Sequence, residues 1–141
     1  MAKAGIDAAG TVSIPIASGQ GLQFAQYKGR TWTYGPLLAE GQLGDVSFAK
    51  DGSIATAWGS SKIQAAILSG GFWSGPSILS DPRITTVSPS ISIRSANQAA
   101  AIWYRYASNN IIQSSFYVDG SWSPGFDMGI AESRVISGFS F

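Results

Sequence analysis

Residues 46–79 read VSFAKDGSIATAWGSSKIQAAILSGGFWSGPSIL, and their punctuation decides the fold. Val46-Ser47-Phe48 alternates, Asp51-Gly52 makes a turn, Ile54 to Trp58 is a second run, and Ile63 to Leu68 is a third. Gly70-Gly71 then turns the chain into a last run from Phe72 through Trp73 towards Ile78-Leu79, and Ser80-Asp81-Pro82 closes the unit. Runs of alternating apolar and small or polar residues, bounded by Gly, Pro, Asp and Ser, are the signature of short antiparallel strands joined by tight turns. Helix is a poor alternative, because no segment combines caps with a 3.6-residue period, and 17 Gly and 6 Pro interrupt the chain too often.

Working outward, the same unit recurs on both sides. The apolar-Ser-apolar word Val46-Ser47-Phe48 reappears as Ile91-Ser92-Ile93 and Phe139-Ser140-Phe141, with a weak copy at Ala4-Gly5-Ile6. A Gln and a Trp stand nine positions apart in each unit: Gln23 to Trp32, Gln64 to Trp73 and Gln113 to Trp122. Both residues repeat at offsets of 41 and then 49, so the hairpin between third and fourth strands keeps its length and insertions fall in loops. A Pro follows each Trp within four residues, at Pro36, Pro76 and Pro124. Because Pro is confined to edges, first positions and bulges, the fourth strand is expected on the outside. Three units follow, at about 4–44, 45–89 and 90–141, with 139–141 as a spare first strand.

Four short strands in roughly 45 residues make a β-propeller blade, whose apolar faces only neighbouring blades can cover. The expected class is therefore all-β, with three four-stranded antiparallel blades. Known propellers close with roughly four to eight blades, so three blades leave two faces open, and such patches favour association. Self-association is expected, with a homodimer of six blades favoured over a homotrimer of nine. Phe139–Phe141 is expected to complete a first blade, the chain's own or its partner's. A fragment cut from a longer propeller is the alternative.

Composition narrows function. Nine Lys and Arg against eight Asp and Glu, spread without runs, give no basic footprint for nucleic acid. Apolar stretches such as Ala99 to Trp103 fall far short of the roughly 20 residues of a membrane-spanning helix. The chain has no Cys and no His, which removes the disulfide framework, the thiolate nucleophile and the commonest general base. Candidate acid-base groups reduce to Glu40, Glu132 and Asp7, Asp45, Asp51, Asp81, Asp119 and Asp127. Most of these read as turn formers, as in Asp51-Gly52, Asp119-Gly120 and Asp81-Pro82, so no enzymatic activity and no catalytic residue are expected. Neither an Asp-x-Asp-x-Asp run nor a zinc-ligand cluster is present, and no cofactor or metal is expected.

Seventeen aromatic residues with few charges suit a binding module that stacks on sugar rings while amides and hydroxyls bond the sugar's hydroxyl groups. The candidate ligand-binding positions are Gln23, Gln64, Gln113, Trp32, Trp73, Trp122, Trp103 and Arg105. Each has a structural reading too: the repeated Trp as blade packing, the repeated Gln as partners for backbone groups, Trp58 and Trp103 as core or rim. Tyr104, Arg105 and Tyr106 form the aromatic and cationic cluster expected to be most exposed.

Gly52-Ser53-Ile54-Ala55-Thr56-Ala57-Trp58, Ile111-Ile112-Gln113-Ser114-Ser115 and Gly120-Ser121-Trp122-Ser123-Pro124 resemble the bacterial propeller repeat G-x-A-x-A-x-W, I-I-Q-A-S, G-x-W-S-x-P. That resemblance covers nearly the whole chain and implies the propeller fold; members are often surface-associated, which implies a surface or secreted setting. No leader of the secretory kind is read in the opening Met1-Ala2-Lys3-Ala4-Gly5, and a cytoplasmic setting is the alternative. Tyr117-Val118-Asp119-Gly120-Ser121-Trp122 is similar to the motif that ends the blades of six-bladed fucose-binding lectins, some of which close their ring by oligomerising. Those lectins use an Arg on the second strand and a Glu on the third. The matching places here hold Trp103 and Gln113, or Trp58 and Gln64, with Arg105 two residues from the Arg position. The resemblance thus implies lectin-like glycan binding in general. A structural or protein-interaction propeller without a small ligand, and a glycosidase-type propeller, are the other readings.

Overall fold

The computed structural model describes residues 3–38, 43–59, 61–106 and 108–130. Among them there is no helix, and hence none long and apolar enough to cross a membrane. Fourteen strands form three antiparallel sheets laid side by side. Sheet one runs in the order β1 (Gly5–Ile6), β2 (Val12–Ser18), β3 (Gly21–Lys28), β4 (Thr31–Tyr34). Sheet two runs β5 (Leu43–Phe48), β6 (Ile54–Trp58), β7 (Gln64–Ser69), β8 (Phe72–Trp73), with β9 (Ser77–Ile78) also paired to β7. Sheet three runs β10 (Thr86–Ser95), β11 (Gln98–Arg105), β12 (Ile111–Val118), β13 (Ser121–Trp122), with β14 (Phe126–Ile130) on β12. In each sheet the first four strands are neighbours in chain order, as in a propeller blade.

Local chemistry accounts for the hairpins. Lys28 pairs Thr31, Ser69 pairs Phe72 and Val118 pairs Ser121, which leaves two-residue loops at Gly29-Arg30, Gly70-Gly71 and Asp119-Gly120. All six loop residues have positive φ, the condition for the turn whose twist matches that of the flanking strands. The fourth strand is indeed the outer one. It is not the single run that residues 72–79 suggest: Pro76 separates β8 from β9 and Pro124 separates β13 from β14. A proline lacks the N–H that an uninterrupted ladder needs there.

The core lies in the two joints between sheets. Leu22 and Phe24 of sheet one pack against Val46, Ile54, Trp58, Ala66 and Leu68 of sheet two. On the other side of sheet two, Ala55, Ala57, Ile63, Ala65 and Ile67 pack against Ile91, Ile93, Ala99, Ala101 and Trp103 of sheet three. All five residues of β6 are buried, because period-2 alternation sends successive side chains into opposite joints. Each joint houses one fully buried indole, Trp58 in the first and Trp103 in the second. In the second joint, six alanines leave room for that ring to pack between the sheets.

Polar groups stitch the first strands together. Ile93 N–H donates to Ser47 Oγ at 3.1 Å, so a serine of the repeated word carries the joint between sheets two and three. In sheet one the corresponding residue is Gly5, where a Cβ would lie 2.2 Å from Cγ of Phe48, and the Phe48 ring occupies that space instead. Ala96 N–H donates to Asp51 Oδ2 at 3.0 Å, and Ala8 N–H to Lys50 O at 3.4 Å. Asp45 ties sheet two to sheet three and to the residue two places before β1: Oδ1 accepts from Lys3 Nζ, while Oδ2 accepts from Ser90 Oγ at 2.9 Å and from Ile91 N–H at 3.0 Å. Asp7, Asp51 and Asp81 accept from the N–H two residues on, as turn formers do, but Asp45 does not belong with them. The spare strand expected at Phe139–Phe141 lies outside the described residues.

Candidate functional site

Sheet three carries a string of polar side chains that the other sheets lack among the described residues. Gln113 on β12 faces Trp103 on β11 across one ladder and Asp127 on β14 across the other. Its Oε1 accepts from Trp103 Nε1 at 3.0 Å, and its Nε2 donates to Asp127 Oδ1 at 2.7 Å. The second oxygen, Oδ2, accepts from Arg105 Nη2 at 2.9 Å. Period 2 explains the grouping: Trp103 and Arg105 are two apart on one strand, so both point to the side of the sheet that Gln113 and Asp127 share. The indole is sealed in the joint, whereas the outer end of the string is open, with side-chain exposures of 20% for Arg105 and 52% for Asp127. The string thus runs from core to solvent, at the strand ends opposite the Asp119-Gly120 turn.

Arg105 Nε is shielded from solvent and has no hydrogen-bond partner. Tyr106, the next residue, is exposed, while Tyr104 on the opposite face is buried at 4%, so the expected exposed trio is reduced to two. Alternation turns Tyr104 to the face opposite Arg105, where it is buried, whereas Tyr106 lies one residue beyond the end of β11.

Sheet two has no such string. Trp58 pairs Gln64, and Gln64 pairs Ile78, an apolar residue where sheet three has Asp127. Trp58 Nε1 is buried with no partner. In sheet one, Gln23 Nε2 donates to Gly35 O at 2.7 Å, as expected of a glutamine that satisfies a backbone group, and Ile16 stands opposite it.

The repeated Gln and Trp are not brought together. Gln23, Gln64 and Gln113 stand at the start of their third strands, whereas Trp32, Trp73 and Trp122 pair residues four further along: Tyr27, Leu68 and Tyr117. At roughly 3.3 Å per residue, that separates them by about 13 Å, beyond the span of one monosaccharide. The tryptophans pack at the hairpins: Trp32 on Tyr27 with ring centroids 5.1 Å apart, Trp122 on Tyr117 at 5.3 Å, and Trp73 across the joint on Phe24 at 4.8 Å. Trp73 and Trp122 are half-buried by the neighbouring sheet, and Trp32, on the open side of sheet one, is 46% exposed.

Asp127, weighed in the sequence only as a candidate acid-base group, is the member absent from the expected ligand-binding positions. Its signal was present: Arg105 and Asp127 are both charges without counterparts in the other units.

Neither protein-family models nor curated proteins match this sequence. Among solved structures, the chain is similar to a fucose lectin from Kordia zhangzhouensis in complex with methyl-fucoside, with a TM-score of 0.52 and 15% identity over 94% of this chain and 99% of that one. At that identity the likeness is one of fold. The chain is an all-β protein of β-propeller type, built from three antiparallel blades.

Proposed function

We propose that the chain is a non-enzymatic, lectin-like glycan-binding module, with one site per chain at the outer end of the Arg105–Asp127–Gln113 string. The observation that carries this reading is the half-open Arg105–Asp127 pair, held in place from behind by Gln113 and the buried indole of Trp103. A carboxylate accepts hydrogen bonds from vicinal hydroxyls while a neighbouring guanidinium donates to a hydroxyl or ring oxygen, and charge-assisted bonds of this kind are the strong ones. Tyr106, the residue after Arg105, is exposed, and its ring is of the kind that suits the apolar face of a sugar. A lectin of the same fold, recorded with a fucoside, supports the reading at the level of architecture. The chain is further read as a self-associating unit, a homodimer favoured over a homotrimer, which would make the site multivalent.

The test is a glycan array followed by titration of the best ligand, with tryptophan fluorescence as readout. Arg105→Ala and Asp127→Ala should each weaken binding at least about tenfold, the loss of roughly 1.4 kcal/mol or more, while both variants stay folded by circular dichroism. An array without hits, or binding that both variants retain, overturns the reading in favour of a structural or protein-interaction propeller.

A further inference from the structure

Two sheet faces have no neighbour among the described residues. Sheet one turns Val12, Ile14, Ile16, Ala25, Tyr27, Trp32 and Tyr34 away from sheet two, as their cross-strand pairing fixes, and no charged residue interrupts this set. Sheet three turns Ala100, Ile102, Ser114, Phe116 and Phe126 away from sheet two. Ile16, Trp32 and Tyr34 are exposed on the first face, and Phe116, Val118 and Phe126 on the second, where Arg94, Gln98, Phe116 and Val118 line a groove.

We propose that the open face of sheet one docks, head to tail, on the open face of sheet three of a second copy, with Trp32 seated against Phe116. This rests on the self-association read above and names its contacts. Continuity with the two existing joints is the argument. In each of them the face bearing the repeated Trp is covered by the opposite kind of face of the preceding sheet. Trp73 is covered in this way by sheet one, and Trp122 by the cluster that contains Ile67 of sheet two. Sheet one presents the Trp-bearing face, still uncovered, with Trp32 in the place of Trp73 and Trp122. Sheet three presents the other kind, with Phe116 standing 49 residues after Ile67, the offset that relates the second and third units. Three blades in a row keep these two faces apart within one chain, so the complementary face comes from another copy. The joint is heterologous, and a rotation that closes it gives a ring.

Size-exclusion chromatography with light scattering on the full chain tests this. The chain should run at twice its 14.8 kDa mass. Trp32→Glu and Phe116→Arg should each give a folded monomer by circular dichroism, and an equal mixture of the two should recover the dimer. In the mixed ring, one joint is unaltered and the other sets the introduced acid against the introduced base. If Phe116→Arg fails to fold, Val118→Arg replaces it on the same face. A monomeric wild type overturns both the contact and the self-association. Assembly lost with Trp32→Glu but untouched by the sheet-three variants, or a mixture that stays monomeric, overturns the head-to-tail contact alone. A species of three chains with the same variant behaviour supports the contact and overturns the dimer.

Discussion

Replacing Asp45 by Ala should destabilise the chain more than any other single polar substitution among the described residues. Its carboxylate accepts four hydrogen bonds: Oδ1 from Lys3 Nζ and from its own Val46 N–H, Oδ2 from Ser90 Oγ and Ile91 N–H. The two ends differ in value. Lys3 is 49% exposed at its side chain, so that pair contributes under about 1 kcal/mol after screening. On the other end Ile91 and Ser90 are buried, and loss of the acceptor leaves two donors unpaired in the joint, at about 1–3 kcal/mol for each before relaxation. Asp45→Ala should therefore cost about 3 kcal/mol, a large share of the 5–15 kcal/mol that holds a typical domain. Asp45→Asn keeps one carbonyl acceptor but turns its amide donors towards either Lys3 or the Ser90–Ile91 pair, and should cost about 2 kcal/mol. Lys3→Ala should cost less than either. Urea unfolding followed by tryptophan fluorescence reports both joints, because Trp58 and Trp103 are buried one in each. An Asp45→Ala change below about 0.5 kcal/mol, or a Lys3→Ala cost equal to it, refutes the assignment of Asp45 as the link between blades.

Arg30 holds φ at 67° in the first hairpin, where the other two hairpins have Gly71 and Gly120. Arg30→Gly relieves a left-handed side-chain conformation and should raise stability by about 0.5 kcal/mol net of the added chain entropy, or about 2 °C in Tm; a lowered Tm counts against it. Burial pushes the Asp51 carboxyl up, but the hydrogen bonds it accepts from Ser53 and Ala96 outweigh this, so its pKa lies below the ordinary 3.8. The ionised group stabilises the fold above the unfolded value, and that contribution is lost as pH falls from about 4 through the lower folded value. Acid unfolding should accordingly begin below about pH 4, and Asp51→Ala should flatten that limb; an unchanged acid profile would contradict the role given to Asp51.

The blades were legible because their determinants are local. Strand alternation, Gly-rich two-residue turns and Pro after each Trp act over a few residues, and such signals survive in sequence. Repetition then fixed their number and order. The candidate site was only half legible. Arg105 stood out as a charge without a counterpart, but its partner, Asp127, is 22 residues away on the far side of β12. Asp45 stood in the sequence as one of several candidate aspartates, because nothing local distinguishes it. Its partners, Lys3, Ser90 and Ile91, are more than 40 residues distant in both directions.

What the sequence alone determined is the class of unit: three antiparallel blades, an outermost fourth strand, and a Trp at each hairpin. Only the tertiary structure decided which face of each sheet meets a neighbour, that Trp58 and Trp103 are core while Trp32 is exposed, and that one joint of the two carries a polar string reaching solvent. The physical reason is that turn type and strand period are set by φ, ψ and the nearest side chains, whereas pairing between charges and between faces depends on how the sheets are stacked. The repeated serine word belongs to both levels: alternation marks it as a strand, but its Ser47 hydroxyl acquires a function only when Ile93 of the next blade is brought to 3.1 Å.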